Sequence, residues 1–263
     1  MKVDVGELFE ELSKLDQVEA IALGGSRATE KSDERSDYDV YVYRTDEVPD
    51  EVREKILQKY CSRMEIGNHY WEKEDNCTLK DGIDIDIIYR SLDDFMAGIE
   101  NVVTGGNASN GYTTCMWHNL KTCKILYDEK GRLSVYQKQY EIPYPKRLKE
   151  NIICKNMNLL SGCLPSYDGQ IKKAYIRKDD NSINHRVTEF LASYFDVIFA
   201  VNELTHPGEK RLMQLCREQC SILPEHFEEN MEKLFAAMFQ GNVCEAIDEM
   251  VREIKKIVPI GYE

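Results

Sequence analysis

The chain has 263 residues, 42% of them hydrophobic and 31% charged. That is ordinary globular composition, fits one or two domains and excludes wholesale disorder. The 47 acidic residues against 34 basic ones give a net charge of −13, so a long polynucleotide, which needs a basic face to displace counterions, is not an expected partner. An acidic body instead favours small cationic ligands.

No run of 18 apolar residues occurs, so no membrane span is expected. The start, MKVDVGELFEELSKL, lacks the basic region and apolar core of a signal peptide and reads as a cytoplasmic N-terminus. The nine cysteines form no Cys-x-x-Cys pair and read as reduced thiols, mostly small core residues. Cys115, His118 and Cys123 match no common zinc spacing and lack a fourth ligand.

Residues 4–15 predict a helix, with Val5, Leu8, Leu12 and Leu15 near helical spacing. Gln17–Leu23 predicts a short buried strand running into Gly24-Gly25-Ser26, and Asp39–Tyr43 a second strand. Pro49 suits a first helical position and opens a helix to about Ser62. Arg63–Trp71 and Ile83–Tyr89 predict two more strands, joined by the polar stretch Glu72–Gly82. Ser91 caps a helix over Leu92–Val103, with Asp93 and Asp94 in its first turn. Thr104–Asn110 is a loop by composition. A short helix near Thr113–Asn119, a strand at Lys124–Tyr127 and a helix at Leu133–Tyr140 follow.

Pro143 and Pro145 can continue neither a helix nor a central strand, which makes Glu141–Pro145 a linker between residues 1–142 and 146–263. Beyond it Leu148–Leu160, Gly169–Lys178, Ile183–Asn202, Gly208–Cys220, Pro224–Gln240 and Val243–Val258 all predict helices. The expected architecture is an α+β or α/β domain followed by an all-α helical bundle.

The chemistry concentrates in Leu23-Gly24-Gly25-Ser26-Arg27-Ala28 and Ser36-Asp37-Tyr38-Asp39-Val40-Tyr41. Alternate strand side chains share a face, so Asp37 and Asp39 point the same way, about 7 Å apart along the strand. Two such carboxylates can converge on a hard cation. The Gly-Ser turn upstream offers backbone N–H groups and a hydroxyl suited to phosphate. A third acid comes from Gly82-Ile83-Asp84-Ile85-Asp86-Ile87. The isoleucines take one face and Asp84 and Asp86 the other. Carboxylates on such an apolar strand are costly to desolvate without cations or hydrogen bonds. Asp86 is favoured over Asp84 because it lies nearer the strand centre, although alternation alone leaves both open.

A strand, Gly-Gly-Ser, a spacer of about ten residues, Asp-x-Asp and a later apolar-Asp-apolar strand resemble the DNA polymerase β-like nucleotidyltransferase superfamily. Gly25-Ser26-Arg27-Ala28 and Ser36-Asp37-Tyr38-Asp39 look most like the small bacterial antibiotic nucleotidyltransferases, which act on aminoglycosides and lincosamides. The resemblance covers about residues 18–90. It implies a mixed-sheet catalytic domain in which Asp37, Asp39 and Asp86 hold two Mg²⁺, one at the acceptor hydroxyl and one at the nucleotide phosphates. It places Gly25, Ser26, Arg27 and Ser36 on the nucleotide, with Asp86 also a candidate to take the acceptor proton. The implied reaction moves AMP from ATP, or another nucleoside monophosphate from its triphosphate, onto a small hydroxyl-bearing acceptor and releases pyrophosphate.

Other readings stay open beside this one. Gly24-Gly25 alone reads as a turn, and Asp-x-Asp alone as a solvated surface strand. The loop lacks the Gly-Lys-Ser/Thr of a P-loop. His185 and Glu189 read as the polar face of a core helix. Lys210 and Arg211, after Pro207-Gly208, are either surface charge or a phosphate clamp. A protein-modifying enzyme of toxin–antitoxin type is a second function, weakened because residues 146–263 contain no Arg-x4-His. A silent nucleotide-binding regulator is a third, against which all three acids are present.

Overall fold

The computed structural model describes residues 3–28, 36–70 and 72–258. Outside them lie Trp71, the end of one predicted strand, residues 29–35 of the spacer before Asp37, and both termini. The described residues form two compact units, one from Met1–Ile99 with Asn119–Ile142, the other from Glu100–His118 with Pro143–Glu263.

In chain order the first elements are α1 (Val5–Ser13), β1 (Val18–Leu23), α2 (Gly25–Ala28), β2 (Tyr38–Arg44), α3 (Asp50–Leu57), β3 (Cys61–Asn68), β4 (Glu74–Leu79) and β5 (Asp84–Arg90). Then come α4 (Leu92–Val103), α5 (Cys115–Thr122), β6 (Lys124–Asp128) and α6 (Arg132–Gln139). The Asp4 carboxylate accepts from Gly6 N at 2.9 Å and starts α1, whose Val5, Leu8 and Leu12 are buried.

The six strands form one mixed sheet in the order β3-β4-β5-β2-β1-β6. β2 and β5 pair in parallel, and the other neighbours are antiparallel. β1 lies between β2 and β6 and is buried along its whole length. Its one charged residue, Glu19, pairs with Arg132 at 2.8 Å.

Two expectations are corrected. The polar stretch Glu72–Gly82 contains the strand β4. Its Asp75 is fully buried, ion-paired with the equally buried Arg53 of α3, and accepts from Gly67 N at 2.8 Å. Such a pair is tolerable inside only because both charges are matched and hydrogen-bonded. The predicted helix from Pro49 to Ser62 ends at Leu57, because the chain turns through residues 58–60 and Cys61 joins the ladder opposite Leu79.

The second unit carries α7 (Lys146–Leu160), α8 (Tyr167–Arg177), α9 (Asp180–Val201), α10 (Leu212–Gln219), α11 (Phe227–Gln240) and α12 (Val243–Ile257). No strand occurs among its described residues, as the helical pattern predicts. Ser193 to Val201 of α9 are buried on every side, the mark of a central helix. Asp196 within that stretch accepts from Thr113 N at 3.1 Å, Thr113 Oγ1 at 2.6 Å and Asn156 Nδ2 at 3.1 Å. Burial nevertheless pushes its carboxyl up to about 6, against the pull of these donors. Asn156 Oδ1 also accepts from Gly111 N at 3.1 Å. Gly111 sits at φ +89°, and a Cβ there would come within 2.8 Å of the Ala192 backbone, so this turn needs glycine. No described helix is long and apolar enough to cross a membrane.

Candidate active site

The site is built on the polar face of the sheet where β1, β2 and β5 lie side by side. β1 ends at Leu23, and Gly24 N donates to Asp39 O at 2.8 Å. Gly25 follows at φ +60°, and a Cβ added there would run into the Asp39 carboxylate. Glycine is therefore required twice, by the backbone conformation and by the close approach of an acid.

Asp39 and Asp86 are direct partners in the parallel β2–β5 register. One oxygen from each of Asp37, Asp39 and Asp86 lies within 4.8 Å of the others, and all three residues are half-buried. This is the one convergent group of His, Cys, Asp and Glu ligand atoms among the described residues. Cys115, His118 and Cys123 form no such cluster. Cys123 Sγ donates to Leu120 O at 3.4 Å, and His118 Nδ1 lies 2.8 Å from Thr205 Oγ1.

Asp84 shares the outward face of β5 but is exposed. It accepts from Thr78 Oγ1 at 2.8 Å and stands apart from the three acids. Asp86 accepts from Asn76 Nδ2 at 2.7 Å. Beside them Glu74 is buried, and burial first, then the Asp86 charge, raise its carboxyl above the usual range. At the far end of this face Arg90 makes a two-point contact with Glu72, 2.6 Å at each oxygen. Its guanidinium lies 4.3 Å from the Tyr41 ring centre.

Arg27 is placed differently from the other phosphate-facing candidates. Its Nε donates to Ser36 O at 2.8 Å and Asp37 O at 3.0 Å, and Nη2 also donates to Ser36 O. The guanidinium stacks 3.8 Å from the Tyr38 ring centre. It thus ties the backbone just before the first acid to α2, which also carries Ser26. Lys210 belongs to the second unit, two residues before α10. His185 is exposed, and Glu189 accepts from Tyr167 OH at 3.5 Å, in keeping with a polar helix face.

Sequence reasoning misses Asn76 and Asn68, because the strand that carries Asn76 reads as a linker. The alternation of Glu74, Asn76 and Thr78 with Asp75, Cys77 and Leu79 is the signal that could have found them.

Three carboxylates are hard oxygen donors of the kind that bind Mg²⁺. A bound cation offsets the repulsion of like charges gathered this closely. The donor set therefore fits a divalent metal.

The family model described as the nucleotidyltransferase domain matches residues 5–104, a span that includes all three acids. No curated protein sequence matches the chain. Similar solved structures include a nucleotidyltransferase-like protein from Exiguobacterium sibiricum 255-15, 9% identical, with 97% of this chain and 74% of that chain covered and a TM-score of 0.44. An aminoglycoside 6-adenyltransferase from Bacillus subtilis is 11% identical, with 95% and 87% covered and a TM-score of 0.30. A Thermotoga maritima CCA-adding enzyme, in complex with tRNA, is 10% identical, with 96% and 79% covered and a TM-score of 0.28. These likenesses are too loose to carry a substrate to this chain. Residues 5–104 are a nucleotidyltransferase domain.

Proposed function

We propose that the chain transfers a nucleoside monophosphate, AMP from ATP, to a hydroxyl of a small molecule in a Mg²⁺-dependent reaction. The acceptor class we favour is an aminoglycoside- or lincosamide-like antibiotic, whose positive charge suits a body of net charge −13. The observation that carries the reading is the convergence of Asp37, Asp39 and Asp86 to within 4.8 Å, inside a nucleotidyltransferase domain.

The acceptor oxygen attacks the α-phosphorus, the bond to the β-phosphate bridging oxygen breaks, and pyrophosphate leaves. Asp37, Asp39 and Asp86 would hold the metal, which when bound neutralises phosphate charge and eases loss of the hydroxyl proton. Asp86 takes that proton in this reading. Ser26 and Ser36 orient the triphosphate, Gly25 lets the chain pass close to Asp39, and Arg27 holds the Ser36–Asp37 backbone. The protein's share of the rate is positioning and fixed electrostatics.

The test is pyrophosphate release with Mg²⁺, screened over nucleoside triphosphates and hydroxyl-bearing small molecules. Asp39→Asn is expected to abolish release while the chain stays folded, because removing one of three gathered charges relieves repulsion when no metal is bound. Release at the wild-type rate from Asp39→Asn in saturating Mg²⁺ would show the reading to be wrong.

A further inference from the structure

Asp86 stands at the end of a line of side-chain amides that crosses the sheet to its edge. Asn76 Nδ2 donates to Asp86 Oδ1 at 2.7 Å. Asn68 Nδ2 donates to Asn76 Oδ1 at 2.7 Å. Asn68 Oδ1 accepts from Tyr70 N at 2.9 Å. The direction of the line is set from both ends. An ionised carboxylate can only accept, and a backbone N–H can only donate. Both amides are thereby held in one orientation, with an N–H aimed at the acid.

The registers place Asp39, Asp86 and Asn76 without help from the loops. Asn76 is the direct partner of Asp86 in the antiparallel β4–β5 ladder, and Asp86 is the direct partner of Asp39 in the parallel β2–β5 ladder. Asp39, Asp86 and Asn76 are therefore consecutive across three strands. Two residues along the same ladder, Thr78 and Asp84 form a side-chain bond of similar length, 2.8 Å, that leads away from the acids.

We propose that Asn76 is a positioning residue for metal binding. Its N–H holds one oxygen of Asp86, fixes the plane of that carboxylate and so sets the direction in which the other oxygen faces Asp37 and Asp39. Asn68 acts behind it by fixing the Asn76 amide. The inference rests on the reading of the three acids as metal ligands and extends it to the layer that aims them. Partners of this kind, one bond removed from a metal, typically change metal affinity about 10- to 100-fold when removed.

The experiment uses the full chain and Mn²⁺ alone as the probe, with free Mn²⁺ followed by electron paramagnetic resonance and folding checked by circular dichroism and Tm. Wild type is expected to bind Mn²⁺. Asn76→Leu, of the same branched shape but without the donor, is expected to bind about 10-fold more weakly or worse. Asn76→Gln, which returns the amide on a longer arm, recovers part of the loss. Thr78→Val, which removes the neighbouring bond of the same ladder, leaves binding at the wild-type level. Should Asn76→Leu fail to fold, Asn68→Ala carries the test, with a smaller loss expected because the Asn76 bond itself remains. Wild-type affinity in the folded variant, or an equal loss in Thr78→Val, overturns the inference and leaves the metal reading standing. A wild-type chain that leaves Mn²⁺ free overturns the metal reading itself, and this inference with it.

Discussion

Two carboxylates in this chain each accept a hydrogen bond from an asparagine amide, and their surroundings are otherwise opposite. Asp196, in the helical unit, is fully buried and surrounded by donors, two from Thr113 and one from Asn156. Asp86, in the sheet, is half-buried and faces two further carboxylates within 4.8 Å. Donors around a buried acid satisfy it and complete the local structure. Acids around an acid raise the energy of the site until a cation enters. The composition of the neighbourhood, more than the depth of burial, sets these two carboxylates apart.

The sharpest way to break that comparison is to remove Asp86 and Asp84 separately. Asp86→Ala is expected to lower pyrophosphate release by about 1,000-fold, the scale of losing a group that stabilises transition-state charge. Asp84→Ala should stay near wild type, since Asp84 is tied to Thr78. Paired kinetics decide, and a larger loss from Asp84→Ala would reverse the assignment.

Gly25→Ala probes the same site through the backbone. The added Cβ would collide with the Asp39 carboxylate at a left-handed φ. Displacing a reacting group by about 1 Å costs on the order of 100-fold in rate, and the strained conformation costs roughly 1–2 kcal/mol of stability. The outcome that fails here is a variant with full activity and unchanged Tm.

The smallest effect tests the structural side. The folded carboxyl of Asp196 is pushed up to about 6 from an ordinary 3.8. Between those values the folded chain binds the extra proton, so the contribution of Asp196 to stability is greatest below pH 4 and falls as pH rises through 6. A carboxyl displaced this far changes stability by about 3 kcal/mol across that window. Urea unfolding of wild type and Asp196→Asn from pH 4 to 7.5 should show the wild-type advantage shrinking by about that amount, with turnover per folded molecule unchanged. A difference that stays flat across this range would remove Asp196 from the account.

Much of this arrangement is legible from local pattern. The helices of the second unit start and end close to where their periodicity places them, and Asp37, just before β2, converges with Asp39 as the alternation of strand side chains predicts. β4 is hidden because Asp75 points inward, and only its ion pair with Arg53, 22 residues earlier, makes that tolerable. The difference between Asp84 and Asp86 lies across the sheet, in Thr78 and Asn76, and no window along β5 alone contains it. The resemblance places Arg27 on the nucleotide, and its bonds to the carbonyls of Ser36 and Asp37 are a contact that sequence alone does not show, because it depends on where the intervening chain returns.

The parallel pairing of β2 with β5 has a consequence for the order in which the molecule is made. Asp39 on β2, with Asp37 just before it, and Asp86 on β5 are separated by residues 45–83, which form α3, β3 and β4 before β5 can come back beside β2. Such non-local closure carries a loop entropy that local turns do not, and it is slow to form during folding. The three acids are therefore brought together by the same event that closes the centre of the sheet. A partly folded chain can hold its hairpins and its helices and still have no metal-binding competence, so the appearance of Mn²⁺ binding during refolding would time the closure of this sheet.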